Sequence, residues 1–271
     1  MSTHSDKLLL TRRGFCGVAA ATFFAPPAWA ANPTAAQLMN DSYQATRFSN
    51  ARFVASLTLK SRSGRTQSRA LTGVGKLLGQ GAQARLIAFS APSDMNGVGT
   101  LTVERGAGTD DLWVYLPAMR RVRRLVASNR ADPWVGSDFS FGDILGHKVK
   151  DWQHKITGSD RLTDGEAWVI ESTPNNASIT RDTGYGRRRS WLRKSDQSLL
   201  RTEIFTPAGG LLKTAVSSNF RVLDARSGKV QPMVMVMHHA QNGSTSTLRF
   251  GQFRIDQAVS AHEVTPEALA R

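Results

Sequence analysis

The chain has 271 residues, 40% of them hydrophobic and 21% charged, a balance that supports a packed core and excludes a disordered or low-complexity chain. Its net charge of +14 calls for anionic partners, and its single cysteine, Cys16, excludes an internal disulfide and a cysteine-built zinc site.

The first thirty residues have the layout of an export signal: polar MSTHSDKLLL, then TRRGF, then the small apolar run GVAAATFFAPPAWA. Arg12-Arg13 followed by Phe15 resembles the twin-arginine address, although Cys16 and Gly17 depart from its usual pattern. An ordinary secretory signal with a chance arginine pair predicts the same destination. Ala28-Trp29-Ala30 fits a cleavage site near Ala30, so a periplasmic mature chain of residues 31–271 is expected. The signal carries Lys7, Arg12 and Arg13 against Asp6, which leaves +12 of the +14 on the mature domain. In that compartment the anionic partners are lipid head groups, membrane surfaces and acidic protein patches rather than nucleic acid. No later stretch approaches the roughly 20 consecutive apolar residues of a membrane helix.

A short helix is expected over 34–46, TAAQLMNDSYQAT. The period then changes. RFVASLTLKS sets Phe53, Ala55, Leu57 and Leu59 on one side of a strand and Val54, Ser56, Thr58 and Lys60 on the other. The same alternation predicts strands at 68–77, 83–90, 98–104, 111–116, 166–172, 189–194, 199–205, 211–217, 219–224, 230–238 and 245–254, separated by Gly, Pro, Asn and Ser turns. Consecutive short strands of this kind predict one mainly β domain, an antiparallel sheet built from hairpins. Residues 118–150 break the rhythm and read as an insertion over one end or face of the sheet, with some helix in it.

Several constellations carry candidate chemistry. Asp138, Asp143 and His147 are close enough in sequence for a carboxylate–imidazole site, yet no phosphate loop, HExxH or G-x-S-x-G accompanies them. His238 and His239 are adjacent on a strand and point to opposite faces, which makes joint chelation of a metal difficult. No catalytic, metal-binding or cofactor-binding residue is assigned. Met233, Met235 and Met237 share one face of a strand, as core filler or as the adaptable wall of an acyl-chain pocket. Trp113, Tyr115, Trp134, Phe139 and Phe141 bracket the insertion and suit either a core or a ligand container. Arg120, Arg121, Arg123 and Arg124 form a cationic cluster, a solvated loop or a docking site for an anion.

The block DDLWVYLPAMRRVRRL (110–125) followed by WVGSDFSFGDI (134–144) resembles the paired signature of the outer-membrane lipoprotein-sorting, LolA-like family. APSDMNGVGTL (91–101) and TPAGGLLKT (206–214) resemble further family segments. The resemblance implies a LolA/LolB-like unclosed antiparallel half-barrel with helices and loops covering its concave face. It also implies a non-enzymatic carrier that shields acyl chains of lipoproteins or lipids, and this branch is similar to proteins found with inner-membrane transporters of the resistance-nodulation-division type. Gly142 stands where the family usually has Glu. Two other readings remain: a basic binding module for an anionic polymer or protein, and a hydrolase using Asp138, Asp143 and His147.

Overall fold

The protein is described by a computed structural model that covers residues 1–2 and 33–270; the expected signal segment, with Arg12-Arg13 and the cleavage site, lies outside the described residues. Helix α1 (Ala35–Ala45) opens the domain. Thr34 caps it, its Oγ1 accepting from the Gln37 backbone at 3.2 Å while Gln37 Oε1 accepts from the Thr34 N–H at 2.8 Å. Its apolar face, Ala35, Leu38 and Met39, packs on Ile170 and Leu192.

Thirteen strands follow: β1 (Asn50–Lys60), β2 (Thr66–Leu77), β3 (Gln83–Ala91), β4 (Gly99–Glu104), β5 (Asp111–Leu116), β6 (Arg121–Leu125), β7 (Trp152–Leu162), β8 (Gly165–Pro174), β9 (Arg187–Arg193), β10 (Leu199–Phe205), β11 (Leu211–Asp224), β12 (Lys229–His239) and β13 (Thr245–Arg254). They form one antiparallel sheet in the order β6-β5-β4-β3-β2-β1-β13-β12-β11-β10-β9-β8-β7. Every neighbour is consecutive in sequence except β1 and β13, whose pairing joins the two arms of the meander. The fold is mainly β, as the strand pattern predicts, and because β6 and β7 end the sheet unpaired with each other the barrel is unclosed, as the family resemblance implies.

Three differences from the expected elements have physical causes. The segments 211–217 and 219–224 are one strand, because Asn219 takes a left-handed φ of 53° that kinks the chain without ending the ladder. Residues 121–125 do not leave the sheet after Pro117. The chain turns at Pro117–Met119, Arg120 adopts a φ of 45°, and RVRRL returns as β6 beside β5. The excursion therefore starts at about residue 126. β7 alternates only over its first half, where Trp152, His154 and Ile156 face inward, and its second half is exposed, so no strand is expected there from sequence.

The main core lies on the inner, concave face, where Phe53, Ala55 and Leu57 of β1 meet Leu71, Ile87, Phe89, Leu112, Ile204, Met237 and Leu248. Phe53 stacks on Phe253 at 5.6 Å between ring centroids and meets Phe250 edge-on at 5.3 Å. Gly73, opposite Phe53 in the ladder, leaves room for that ring; a Cβ there would stand 2.1 Å from Phe53 Cζ. The outer face is largely solvated, except where Val259, Val264 and Leu269 of the C-terminal segment cover Ala84, Leu101 and Val103 and where Ala167 and Trp191 form a small buried cluster with Leu200.

Candidate functional site

Between β6 and β7 the chain crosses the inner face as a plug of short turns and one short helix, α2 (Phe141–Leu145). Trp134 is its anchor: 0% exposed, packed 5.5 Å from the Phe89 ring, with Nε1–H donating to Thr100 Oγ1 at 3.2 Å. Asp138 ties the plug to the start of β13, accepting from Ser246 Oγ at 2.7 Å and from Ser244 Oγ. Arg85 of β3 donates to the Ile144 carbonyl at 2.5 Å, and Arg69 of β2 donates to the Val135 carbonyl.

The plug and α1 do not fill the space above the sheet. A cavity of about 300 Å³ remains, walled by Met39 and Tyr43 of α1, Phe139, Ile144 and His147 of the plug, and Phe53, Leu71, Ile87, Met235, Met237, Leu248 and Phe250 of the sheet. A groove of about 360 Å³ elsewhere is lined by Arg52, Thr72, Gln252, Arg254 and Gln257 together with Phe53, Val54, Gly73, Val74 and Leu86, a mixed surface without the predominantly apolar wall of the inner cavity. The apolar cavity is the site with a chemical preference.

A tightly bonded polar cluster closes one end of it. Asp143 accepts from the Tyr185 hydroxyl at 2.9 and 3.0 Å and from the Ser140 backbone N–H at 2.9 Å. Lys213 Nζ lies 3.6 Å away and His147 Nε2 3.4 Å. Burial opposes the charge on Asp143, but the His147 hydrogen bond and the Lys213 charge hold it well below the usual carboxylate range. Burial, reinforced by the Arg188 charge, pushes His147 down to about 4 against the pull of Asp143. Burial and then Asp143 raise the Tyr185 hydroxyl. At neutral pH Asp143 is thus ionised and His147 neutral, with neither near its titration range. This arrangement suits a tie between plug, β11 and the turn after α3 (Ala177–Thr183) better than proton transfer. Asp138 is occupied with Ser244 and Ser246 rather than joined to Asp143 and His147. Among the described residues no group of three His, Cys, Asp or Glu stands ready to hold a metal ion.

The residues singled out from the sequence fall into three places. Phe139, Met235 and Met237 line the cavity. Trp134, Phe141 and Met233 belong to the same core cluster but stand behind the cavity wall. Trp113 and Tyr115 pack on the outer face with the C-terminal cover, and Arg120, Arg121, Arg123 and Arg124 lie exposed at the β6 edge. Arg124 pairs with Asp111 and lies 5.8 Å from the Trp113 ring, whereas Arg121 and Arg123 face the other way. Reasoning from the sequence missed Arg85, Tyr185, Arg188 and Lys213. A signal for Arg188 existed: in RRRSWL, alternation puts the middle arginine on the face of Ser190 and Leu192, opposite Arg187 and Arg189.

Three solved structures share this architecture. A domain named for outer-membrane lipoprotein sorting, from Vibrio parahaemolyticus, superposes with a TM-score of 0.80 at 21% identity, covering 88% of this chain and 98% of its own. A DUF1329 family protein from Desulfovibrio piger gives 0.80 at 24% identity, covering 87% and 97%. A LolA superfamily protein from Nitrosomonas europaea gives 0.66 at 19% identity, covering 88% and 100%. No curated protein matches the sequence. A family model described as "Uncharacterized protein" matches residues 81–271. The chain belongs to that family, and its fold is the unclosed LolA-like half-barrel.

Proposed function

We propose that this protein is a periplasmic carrier that shields acyl chains of lipoproteins or lipids in its inner cavity and performs no catalytic step. The observation that carries the reading is the apolar cavity of about 300 Å³ left between the sheet, α1 and the plug. Each methylene drawn from water into such a space is worth about 0.8 kcal/mol, so a chain of ordinary length supplies its own driving force. The names of the neighbours with the same fold support the reading, and so does the export signal expected at the N-terminus. No helix among the described residues is long and apolar enough to cross a membrane. Passage of cargo to the outer membrane, from a lipoprotein-sorting route or from an inner-membrane transporter of the resistance-nodulation-division type, belongs to the same proposal. Mass spectrometry of organic extracts from the purified mature protein tests it: co-purifying lipid or lipopeptide in molar amounts is expected. Protein free of lipid that also takes up no fluorescent acyl probe would overturn it.

One observation favours a basic binding module as the second reading. Arg120, Arg121 and Arg123 are exposed at the sheet edge, and no ion pair to them is found among the described residues. That reading requires binding to an anionic partner that falls with salt and with neutralisation of these arginines, independently of the cavity.

A further inference from the structure

In the cavity wall Arg188 has no carboxylate partner among the described residues. Arg188 of β9 points inward, is 7% exposed, and lines the cavity. Its Nε makes no hydrogen bond among the described residues, and its guanidinium enters no ion pair there. The Trp152 ring lies 5.4 Å from its Cζ, a contact that steadies the cation but satisfies none of its N–H groups. Asp143, the nearest carboxylate in charge terms, already accepts from Tyr185 and Ser140 and faces His147 and Lys213.

Two more unsatisfied atoms share this patch of sheet. Ser190 Oγ and Thr202 Oγ1 are buried without a hydrogen-bond partner among the described residues. Ser190 and Thr202 are directly opposite in the β9–β10 ladder, and Arg188 stands two residues from Ser190 on the same face, opposite Ile204. A fork of guanidinium donors beside two hydroxyls is what an oxyanion requires, and burying such a set unmatched is costly. Arg85, also on the cavity wall, adds a second, half-buried cation, which donates to the Ile144 carbonyl. The rest of the lining is mostly apolar, with Phe53, Leu71, Ile87, Met235, Leu248 and Phe250 in it, so whatever meets the cation carries hydrocarbon beside its charge.

We propose that Arg188, with Thr202 beside it and Ser190 behind them in the sheet, receives inside the cavity the carboxylate or phosphate of an acyl-chain cargo. The carrier takes its cargo with the anionic head enclosed, and selects anionic amphiphiles over neutral ones of equal chain length. This inference rests on the carrier reading and adds the class of head group to it.

The test compares laurate, dodecyl phosphate and dodecanol as displacers of the uncharged probe N-phenyl-1-naphthylamine from the mature protein at pH 7.5. The two anions are expected to bind about tenfold or more tighter than the alcohol, as a charge-assisted bond in a dry site allows. Arg188→Met is expected to bring the anions down to the level of dodecanol while leaving dodecanol and the probe within about twofold; Thr202→Val is expected to weaken the anions in part. Equal affinity of acid and alcohol for the unmutated protein overturns the head-group assignment and leaves the carrier reading standing. So does an unchanged acid-to-alcohol ratio in Arg188→Met. Inorganic phosphate or acetate alone competing as well as laurate would show a free-anion site and overturn the assignment too. Failure of the unmutated protein to bind probe and all three amphiphiles overturns the carrier reading itself.

Discussion

Trp134 concentrates the attachment of the plug in one side chain: a fully buried indole, a ring contact to Phe89 and a hydrogen bond to Thr100. Trp134→Ala is expected to cost about 3–5 kcal/mol, read as a lowered denaturant midpoint with little change in slope. Gly73 carries the opposite constraint, since any side chain there meets the Phe53 ring. Gly73→Val is expected to destabilise by about 1–3 kcal/mol through overpacking, with a matching fall in melting temperature. His147 gives the fold a defined acid weakness. Its ordinary value of 6.5 is lowered to about 4 in the folded protein, so the neutral ring stabilises the fold fully above pH 6.5 and less as pH falls toward 4. The loss across that window is on the order of 3 kcal/mol. A His147→Gln variant should show a flatter stability profile between pH 6.5 and 4 when unfolding is followed by urea titration. An identical slope in both proteins would mean that another group sets it.

The two strands that alternation did not reveal, β6 and β7, are the two edges of the sheet. An interior strand has one face against the core and shows period two, as β1 and β10 do. An edge must discourage further pairing, so RVRRL and WQHKITGSDRL carry charged and polar residues on both faces and read as loop. Helix α1 was legible in the segment TAAQLMNDSYQAT, and the Met233, Met235 and Met237 ladder from simple alternation. The polar end of the cavity was not. Asp143, Tyr185, Arg188 and Lys213 come from the plug, a turn, β9 and β11, and only the packing of the plug on the sheet brings them together. The edge argument also predicts that Arg121→Thr with Arg123→Thr, which leaves Arg124 on Asp111, promotes concentration-dependent self-association. Sedimentation velocity should show it; a strictly monomeric double variant at high concentration would mean that these arginines serve only a partner.

At the scale of the whole molecule, an unclosed meander of thirteen strands makes one broad inner face, larger than α1 and the plug can cover. The uncovered part is apolar, and one end is tied by the Asp143 cluster. On the proposed carrier reading, the plug, which joins the two open edges, is the segment whose displacement would admit or release cargo. The central claim is that acyl chains occupy this cavity rather than the arginine edge. Ala215 sits on the cavity wall opposite Met237 in the β11–β12 ladder, so Ala215→Trp fills the space without touching β6. The most direct measurement is saturation of the mature protein with a fluorescent fatty acid. The account predicts saturable binding by the unmutated protein and by the Arg121→Thr, Arg123→Thr pair, with about tenfold or greater weakening in Ala215→Trp. Binding that survives Ala215→Trp unchanged and is lost with the β6 arginines would contradict it.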